Sequence, residues 1–417
     1  MSTAPVIPKD FDPAGLDVIS DEKYETEGYP HAEWTWLRQN DPVHYFERDD
    51  CEPFWAITKH ADIVDIGKHP MDWIIAPRVA VFTDIAPVEE VQVRHLLTMD
   101  PPEHGRYRNL IAKSFTPRNV KVWEPKVFEI TRRVLDRAAE KREIDFVADV
   151  SAPITIEVIA LMLGVPEEDW PLLFRWTNEI IAPGDPEFQK GATTQETLQR
   201  ARLELFSYFK EIADNRRANP QDDIVTRIVH GQIDGAPLGD LELLSYFFLL
   251  VVAGNETTRN AMTGGIQCFI DNPAQWDALA RDPGLVEGAI EETVRWTTAV
   301  IQFARTATSD QIVRGKKIRQ GESVCLFYAS GNRDEDVFDD PFEFRIDRWP
   351  NNHIGFGRGE HVCLGAHLAR LEIRAMYQQL RERLVEMERT APIVRVRSSF
   401  VGGVKRAPMK WTLRDAS

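Results

Sequence analysis

His353-Ile-Gly-Phe-Gly-Arg-Gly-Glu-His-Val-Cys-Leu-Gly365 is the stretch on which the reading of this chain turns. Glycines alternate at 355, 357 and 359 ahead of Cys363. Glycine lets a backbone turn tightly and approach a flat object. After the cysteine, Leu364, Leu368, Leu371 and Ala375 fall at i, i+4, i+7 and i+11, which is one face of a helix over about 364–384. The spacing places Cys363 at a helix N-terminus, where unsatisfied N–H groups and the helix dipole favour a thiolate. A dinucleotide-binding glycine loop needs a strand directly before it, and Trp349-Pro350-Asn351-Asn352 does not read as one. A lone cysteine beside a glycine turn is more often a buried structural residue, so the rest of the chain must decide.

The 417 residues are 43% hydrophobic and 28% charged, an ordinary globular composition with enough apolar material for a core. A net charge of -16 argues against a nucleic-acid partner and against adhesion to anionic lipid. It leaves room for a local basic patch. Cys51, Cys268, Cys325 and Cys363 form no CxxC pair, which disfavours structural zinc and a disulfide framework and suits a reducing cytoplasm. The N-terminus has no secretory pattern. The most apolar run, 243–253, is shorter than the roughly 20 residues a bilayer span needs, so no membrane anchor is expected and the run reads as the start of a buried helix.

Helical periodicity marks 119–141, 151–163, 195–217, 239–270, 273–281 and 285–297. Strand-like runs occupy 53–58, 313–318 (split by Gly315) and 323–328. The fold class is therefore mainly α with small β-sheets. One domain over 1–417 is expected, with residues 1–20 a loosely ordered arm.

Phe356-Gly-Arg-Gly-Glu-His-Val-Cys-Leu-Gly365 resembles the haem-binding signature F-G-x-G-x-H-x-C-x-G of the cytochrome P-450 superfamily, matching at Phe356, Gly357, Gly359, His361, Cys363 and Gly365. The resemblance implies a single triangular, mainly helical fold, a haem b cofactor, and Cys363 as the axial ligand of its iron. An anionic sulfur on haem iron favours O–O cleavage.

Three further stretches follow the family's order. Glu292-Thr-Val-Arg295 is similar to the E-x-x-R motif, which relatives bury as a structural pair closed by an arginine from the loop before the cysteine. Pro341-Phe-Glu-Phe-Arg-Ile-Asp-Arg348 matches that loop, with Arg348 the candidate and Arg345 the alternative. By itself such an i,i+3 pair is usually a solvated surface pair of small value. Ala253-Gly-Asn-Glu-Thr-Thr258 resembles the oxygen-activation motif. The resemblance implies that Gly254 leaves room for dioxygen, that Thr257 offers a hydroxyl, and that Glu256 relays protons from water. The opposing reading is a helical threonine bonded to its own backbone and a solvated glutamate. His104 and Arg108, four apart on one helix face, Arg305, and His361 stand where relatives hold the haem carboxylates.

The implied reaction inserts one atom of O2 into a C–H bond and releases the other as water. No flavin or iron–sulfur signature is visible, so electrons from NAD(P)H are expected to arrive through external partners, a ferredoxin and its reductase. Arg358, Arg370, Arg106 and Lys113 are the cations that could receive the ferredoxin, though each is more simply a solvated surface charge. Relatives line the substrate pocket with stretches that here hold Trp73 and Ile85, then Val300, Ile301 and Phe303, and finally Phe400. The set is apolar, so the ligand should be a hydrophobic small molecule. The resemblance ranks terpenoids first, with steroids and fatty chains next. A peroxide-driven peroxygenase and a non-catalytic haem sensor are the alternatives, and both sit poorly with Glu256 and Thr257. A cytoplasmic monomer is expected.

Overall fold

The computed structural model describes residues 7, 11–82 and 94–414. In chain order, the elements that carry the site are the helices α1 (Ala152–Leu163), α2 (Trp170–Ile181), α3 (Asp240–Asp271), α4 (Val286–Thr297) and α5 (Ala366–Arg383). The strands that carry it are β1 (Val43–Phe46), β2 (Phe54–Ile57), β3 (Trp73–Ile74), β4 (Gln302–Ala307) and β5 (Ser323–Phe327). The described residues fall into two compact units. One takes residues up to 82 with 264–363 and 394–404; the other takes 94–263, 364–393 and 405–414.

In the first unit the five strands form one sheet in the order β1-β2-β5-β4-β3. All neighbours are antiparallel except β2 and β5. Central β5 is buried along its length. Its side chains alternate between two cores, as a period of two requires. Cys325 and Phe327 join a cluster with Trp34, Phe54 and Ile301. Val324 and Leu326 join one with Ile57, Trp73 and Ile354. The expected loose arm over 1–20 is corrected in its second half: Leu16, Val18 and Ile19 are buried in the first of these cores. Their apolar side chains gain more from burial than the segment loses in freedom.

The second unit is mainly helical, with a three-stranded sheet of Leu384–Arg389, Pro408–Leu413 and Glu143–Asp145. Ten of the twelve residues of α1 are buried, which explains why its sequence is apolar on every face. Its one carboxylate, Glu157, is met by Arg133 and by Arg137 (2.8 Å) from the helix Pro117–Ala139. On α5 the predicted stripe is inward: Leu368, Leu371 and Ala375 are all buried. Among the described residues no helix is long and apolar enough to cross a membrane. The apolar run 243–253 lies inside the 32-residue α3.

The expected strand run 313–318 is instead a hairpin, Gln311–Val313 paired with Lys316–Ile318. Arg314 and Gly315, at φ 47° and 77°, make its two-residue turn. Helices His31–Asn40, His60–Lys68 and Trp170–Ile181 are not among the expected ones. They are short, and tertiary packing rather than local pattern fixes them.

Candidate active site

The cysteine loop is bent by hydrogen bonds from Gly357 N–H to the Ile354 carbonyl (2.9 Å) and from Cys363 N–H to the Phe356 carbonyl (2.8 Å). Gly357 and Gly359 have φ of 71° and 80°, which disfavours side-chain-bearing residues. A Cβ on Gly359 would also lie 1.8 Å from the Gly67 carbonyl oxygen, so no other residue fits there. The loop ends with Cys363 exposed, two residues ahead of Gly365, the N-cap of α5. A Cβ on Gly365 would meet nothing within 4 Å, so the chain beside the thiol is open. The other three cysteines differ: Cys268 and Cys325 are buried and Cys51 is half-buried. Burial pushes all three thiols up, away from the thiolate. Phe356 and His361 are half-buried in the same loop.

In the same unit α4 carries Glu292 and Arg295, both completely buried. Arg295 grips the carboxylate with two bonds of 2.7 Å. Asn351 Nδ2 (3.0 Å) and the backbone N–H of Arg345 (2.9 Å) donate to it as well. The remaining guanidinium hydrogens of Arg295 go to the carbonyls of Asn332, Pro341 and Glu343. Arg348 Nε reaches Glu292 at 3.2 Å, and its other nitrogens bind the carbonyls of Asp339, Asp340 and Glu343. Arg348 therefore closes the triad by its side chain. Arg345 contributes only its backbone, while its guanidinium turns to Asp347. Burial alone would raise the Glu292 carboxyl, but Arg295, the Arg345 N–H and Arg348 together hold it below the ordinary range.

On α3, in the second unit, Asn255, Glu256, Thr258 and Arg259 are buried, whereas Ala253 is exposed and Gly254 and Thr257 are half-buried. This exposed stripe on a largely buried helix is what a helix bordering open space should show. The missing side chain of Gly254 makes room for a neighbour: a Cβ there would lie 3.0 Å from Ile159 Cδ1 of α1. Glu256 is not solvated. It is buried and ion-paired with Arg259, three residues on, while its Oε1 has no hydrogen-bond partner among the described residues. Burial raises its carboxyl, and Arg259 and Thr177 offset that only in part. Thr257 donates to the Ala253 carbonyl at 2.9 Å.

Sequence reasoning missed the polar lattice around this pair. Arg259 donates to Asn178 Oδ1 (3.2 Å) and lies over the Phe174 ring, both on α2. Asn255 accepts from Thr155 of α1 (2.7 Å) and donates to Thr177 of α2 (2.8 Å). The signal for Arg259 was present, since Glu256-Thr-Thr-Arg259 repeats the E-x-x-R spacing. Nothing local announced Asn178 or Thr177, which lie some eighty residues away in sequence.

His104 is buried and Arg108 half-buried on one helix of the second unit, Glu103–Ala112. Arg305 is buried on β4, donating to the Ala304 carbonyl (2.7 Å). Within the first unit, an exposed thiol and His361 on one loop, with Arg305 on β4 able to receive a carboxylate, form a donor set that fits a haem. Of the pocket candidates, Val300, Phe303 and Phe400 are half-buried, and the rings of Phe303 and Phe400 are 5.6 Å apart. Trp73 and Ile301 are core residues, because the sheet turns their side chains into the two hydrophobic clusters. Ile85 lies outside the described residues.

The cytochrome P450 family profile matches residues 80–392. The chain is similar to a steroid C26-monooxygenase of Mycolicibacterium smegmatis, 35% identical over 98% of this chain and 95% of that one. It is also similar to a methyl-branched lipid omega-hydroxylase of Mycobacterium tuberculosis, 35% identical over 90% of each. Among solved structures, a Mycobacterium marinum cytochrome P450 in complex with pseudoionone superimposes with a TM-score of 0.89 at 32% identity, covering 98% of this chain and 100% of that one.

Proposed function

The chain belongs to the cytochrome P450 family and is a monooxygenase of that family, and from that premise we propose that it hydroxylates an apolar molecule at a methyl-branched aliphatic end, with Cys363 as the haem ligand. The observation that carries the ligand is the contrast among the cysteines: Cys363 alone is exposed, at the end of a glycine-bent loop, while burial holds the other three as thiols. The substrate class is what the relatives' names have in common. C26 is a terminal methyl of the branched steroid side chain, the omega carbon of a methyl-branched lipid is its counterpart, and pseudoionone carries a branched terpenoid end. Terpenoids thus keep a place, beside steroid side chains and branched lipids rather than ahead of them. The half-buried aromatic and aliphatic side chains of Phe303, Phe400 and Val300 suit such a ligand.

When bound, the haem supplies the iron at which dioxygen is activated, one oxygen atom entering the C–H bond and the other leaving as water. The chain's own residues bind and protonate. Cys363 supplies the anionic sulfur. His104, Arg108, Arg305 and His361 receive the carboxylates. Glu256, its carboxyl raised by burial, is placed to take and release a proton at Oε1, which has no hydrogen-bond partner among the described residues, and the Thr257 hydroxyl, which donates to the Ala253 carbonyl, is the next group in the relay. Two electrons come from NAD(P)H through a ferredoxin and its reductase, in the cytoplasm, to a monomer.

The test is an absorption titration of the ferric protein with cholest-4-en-3-one, a methyl-branched fatty acid and pseudoionone. A low-spin to high-spin shift with at least one is expected. Haem-bearing protein that shifts with none of them would contradict the substrate class. Cys363→Ala should abolish the thiolate-type spectrum of the ferrous carbon monoxide complex, and its persistence would refute the ligand assignment.

A further inference from the structure

Strand β3 pairs with the far end of β4, Trp73 with Ala307 and Ile74 with Thr306, and then stops. The chain turns at residues 75–78 and comes back to β4, where Ala304 N–H donates to the Val79 carbonyl (2.8 Å). Two residues on, Val81 pairs with no strand backbone among the described residues. It faces the side chain of Gln302. Gln302 Oε1 accepts from Val81 N–H (3.1 Å) and its Nε2 donates to the Val81 carbonyl (2.8 Å), the two-bond exchange a strand would otherwise provide. The same Nε2 lies 3.5 Å from the Ser399 carbonyl, and Cys325 Sγ donates to the Oε1 (2.7 Å). Gln302 is completely buried, so each of these groups would be costly to leave unpaired.

What the amide ties together is an aromatic cluster. Phe82 follows Val81, Phe303 follows Gln302, and Phe400 follows Ser399. Phe400 meets Phe82 at 5.5 Å and Phe303 at 5.6 Å, both edge-on. All three are half-buried although their predecessors are buried. Backbone bonds from Ile301 N–H to the Phe400 carbonyl (2.9 Å) and from Gly402 N–H to the Ala299 carbonyl (2.8 Å) hold the third segment in register. Three segments distant in sequence thus each present one ring, and one side-chain amide joins them.

We propose that Gln302 is a positioning residue that fixes the Phe82–Phe303–Phe400 wall and thereby the size and shape of ligand the enzyme accepts. This rests on the haem-monooxygenase reading above. The amide itself touches no ligand and acts only through the three rings.

The test uses the haem-loaded enzyme with two probes that ligate haem iron through nitrogen: imidazole, which needs little room, and 4-phenylimidazole, which needs the wall. In Gln302→Met the imidazole dissociation constant should stay as in the wild type, while that of 4-phenylimidazole should change by about tenfold. An unchanged ratio of the two constants would overturn the proposal, since a purely structural loss would move both or neither. Phe400→Leu leaves every bond of the Gln302 amide in place and should shift the ratio as well; an unshifted ratio there would overturn the proposal even if the methionine variant loses haem. In the double variant the effects should not add, because both act on one wall; full additivity would contradict it. Failure of the wild type to ligate imidazole would overturn the haem reading itself, whereas normal imidazole binding with an unchanged ratio overturns this inference alone.

Discussion

Glu256-Thr-Thr-Arg259 and Glu292-Thr-Val-Arg295 are the same device by sequence: a glutamate and an arginine three apart, buried on a helix. Their surroundings make them opposites. Around Glu292 both oxygens and the partner's spare hydrogens are bonded, with Arg348, Asn351 and a backbone N–H added to the pair. Its carboxyl is held below the usual range. Around Glu256 neither Oε1 nor Arg259 Nε has a hydrogen-bond partner among the described residues, and burial outweighs what Arg259 and Thr177 offset. A charge that every neighbour satisfies stays charged and fixes structure. A charge left half satisfied is poised to change its protonation state, as proton delivery requires.

The comparison breaks most easily at the structural pair. Arg295→Leu removes the two-bond partner of a buried carboxylate, leaving Glu292 to Arg348, Asn351 and one backbone N–H, and should cost about 3–5 kcal/mol, read as lost soluble yield or a collapsed thermal transition. A variant as stable as wild type would show that the triad is dispensable. Gly254→Ala should cost about 1–3 kcal/mol by overpacking Ile159, and Ile159→Val in the same chain should recover part of it. No recovery would mean that the glycine serves something other than the contact between α1 and α3.

Glu256→Gln should change stability by no more than about 1 kcal/mol at acid pH, with a sign set by pH. Glu256 is raised in the folded state, so its contribution is present below the unfolded carboxyl's pKa and is lost as pH rises through the folded value. Relative to wild type, the glutamine variant should therefore gain as pH rises. Glu292 has the reverse slope: lowered in the folded state, it stabilises above the unfolded pKa and ceases to do so as pH falls through the folded value. Parallel slopes for the two sites would erase the distinction. The smallest effect belongs to Arg345→Ala, within about 0.5 kcal/mol, because only its backbone reaches Glu292. A loss comparable to that at Arg295 would move the triad's third member from Arg348 to Arg345.

Much of this was legible in the sequence. The helices around 151–163, 239–270 and 285–297 announced themselves by periodicity or by an unbroken apolar run, and the cysteine loop by glycine spacing. The choice between Arg348 and Arg345 was not, because both lie in one irregular loop and the decision is made by which guanidinium the loop turns inward. Nor was the burial of Glu256, which depends on Thr177 and Asn178 arriving from α2. The strand expected at 313–318 failed for a local reason, since Arg314-Gly315 is itself a turn. Gln302 was invisible as a position of interest. A glutamine in a strand looks solvent-facing until its amide is seen to replace a missing strand edge.

The most direct test of the contrast is the protonation of Glu256 itself, followed by infrared difference spectra of wild type against Glu256→Gln across a pH range. The expected result is a carboxylic C=O band, present in the wild type and absent from the variant, that persists as pH rises beyond the ordinary glutamic acid value of about 4.3. A band that titrates at or below that value would show Glu256 to be as firmly charged as Glu292, and the two pairs to be one structural device used twice.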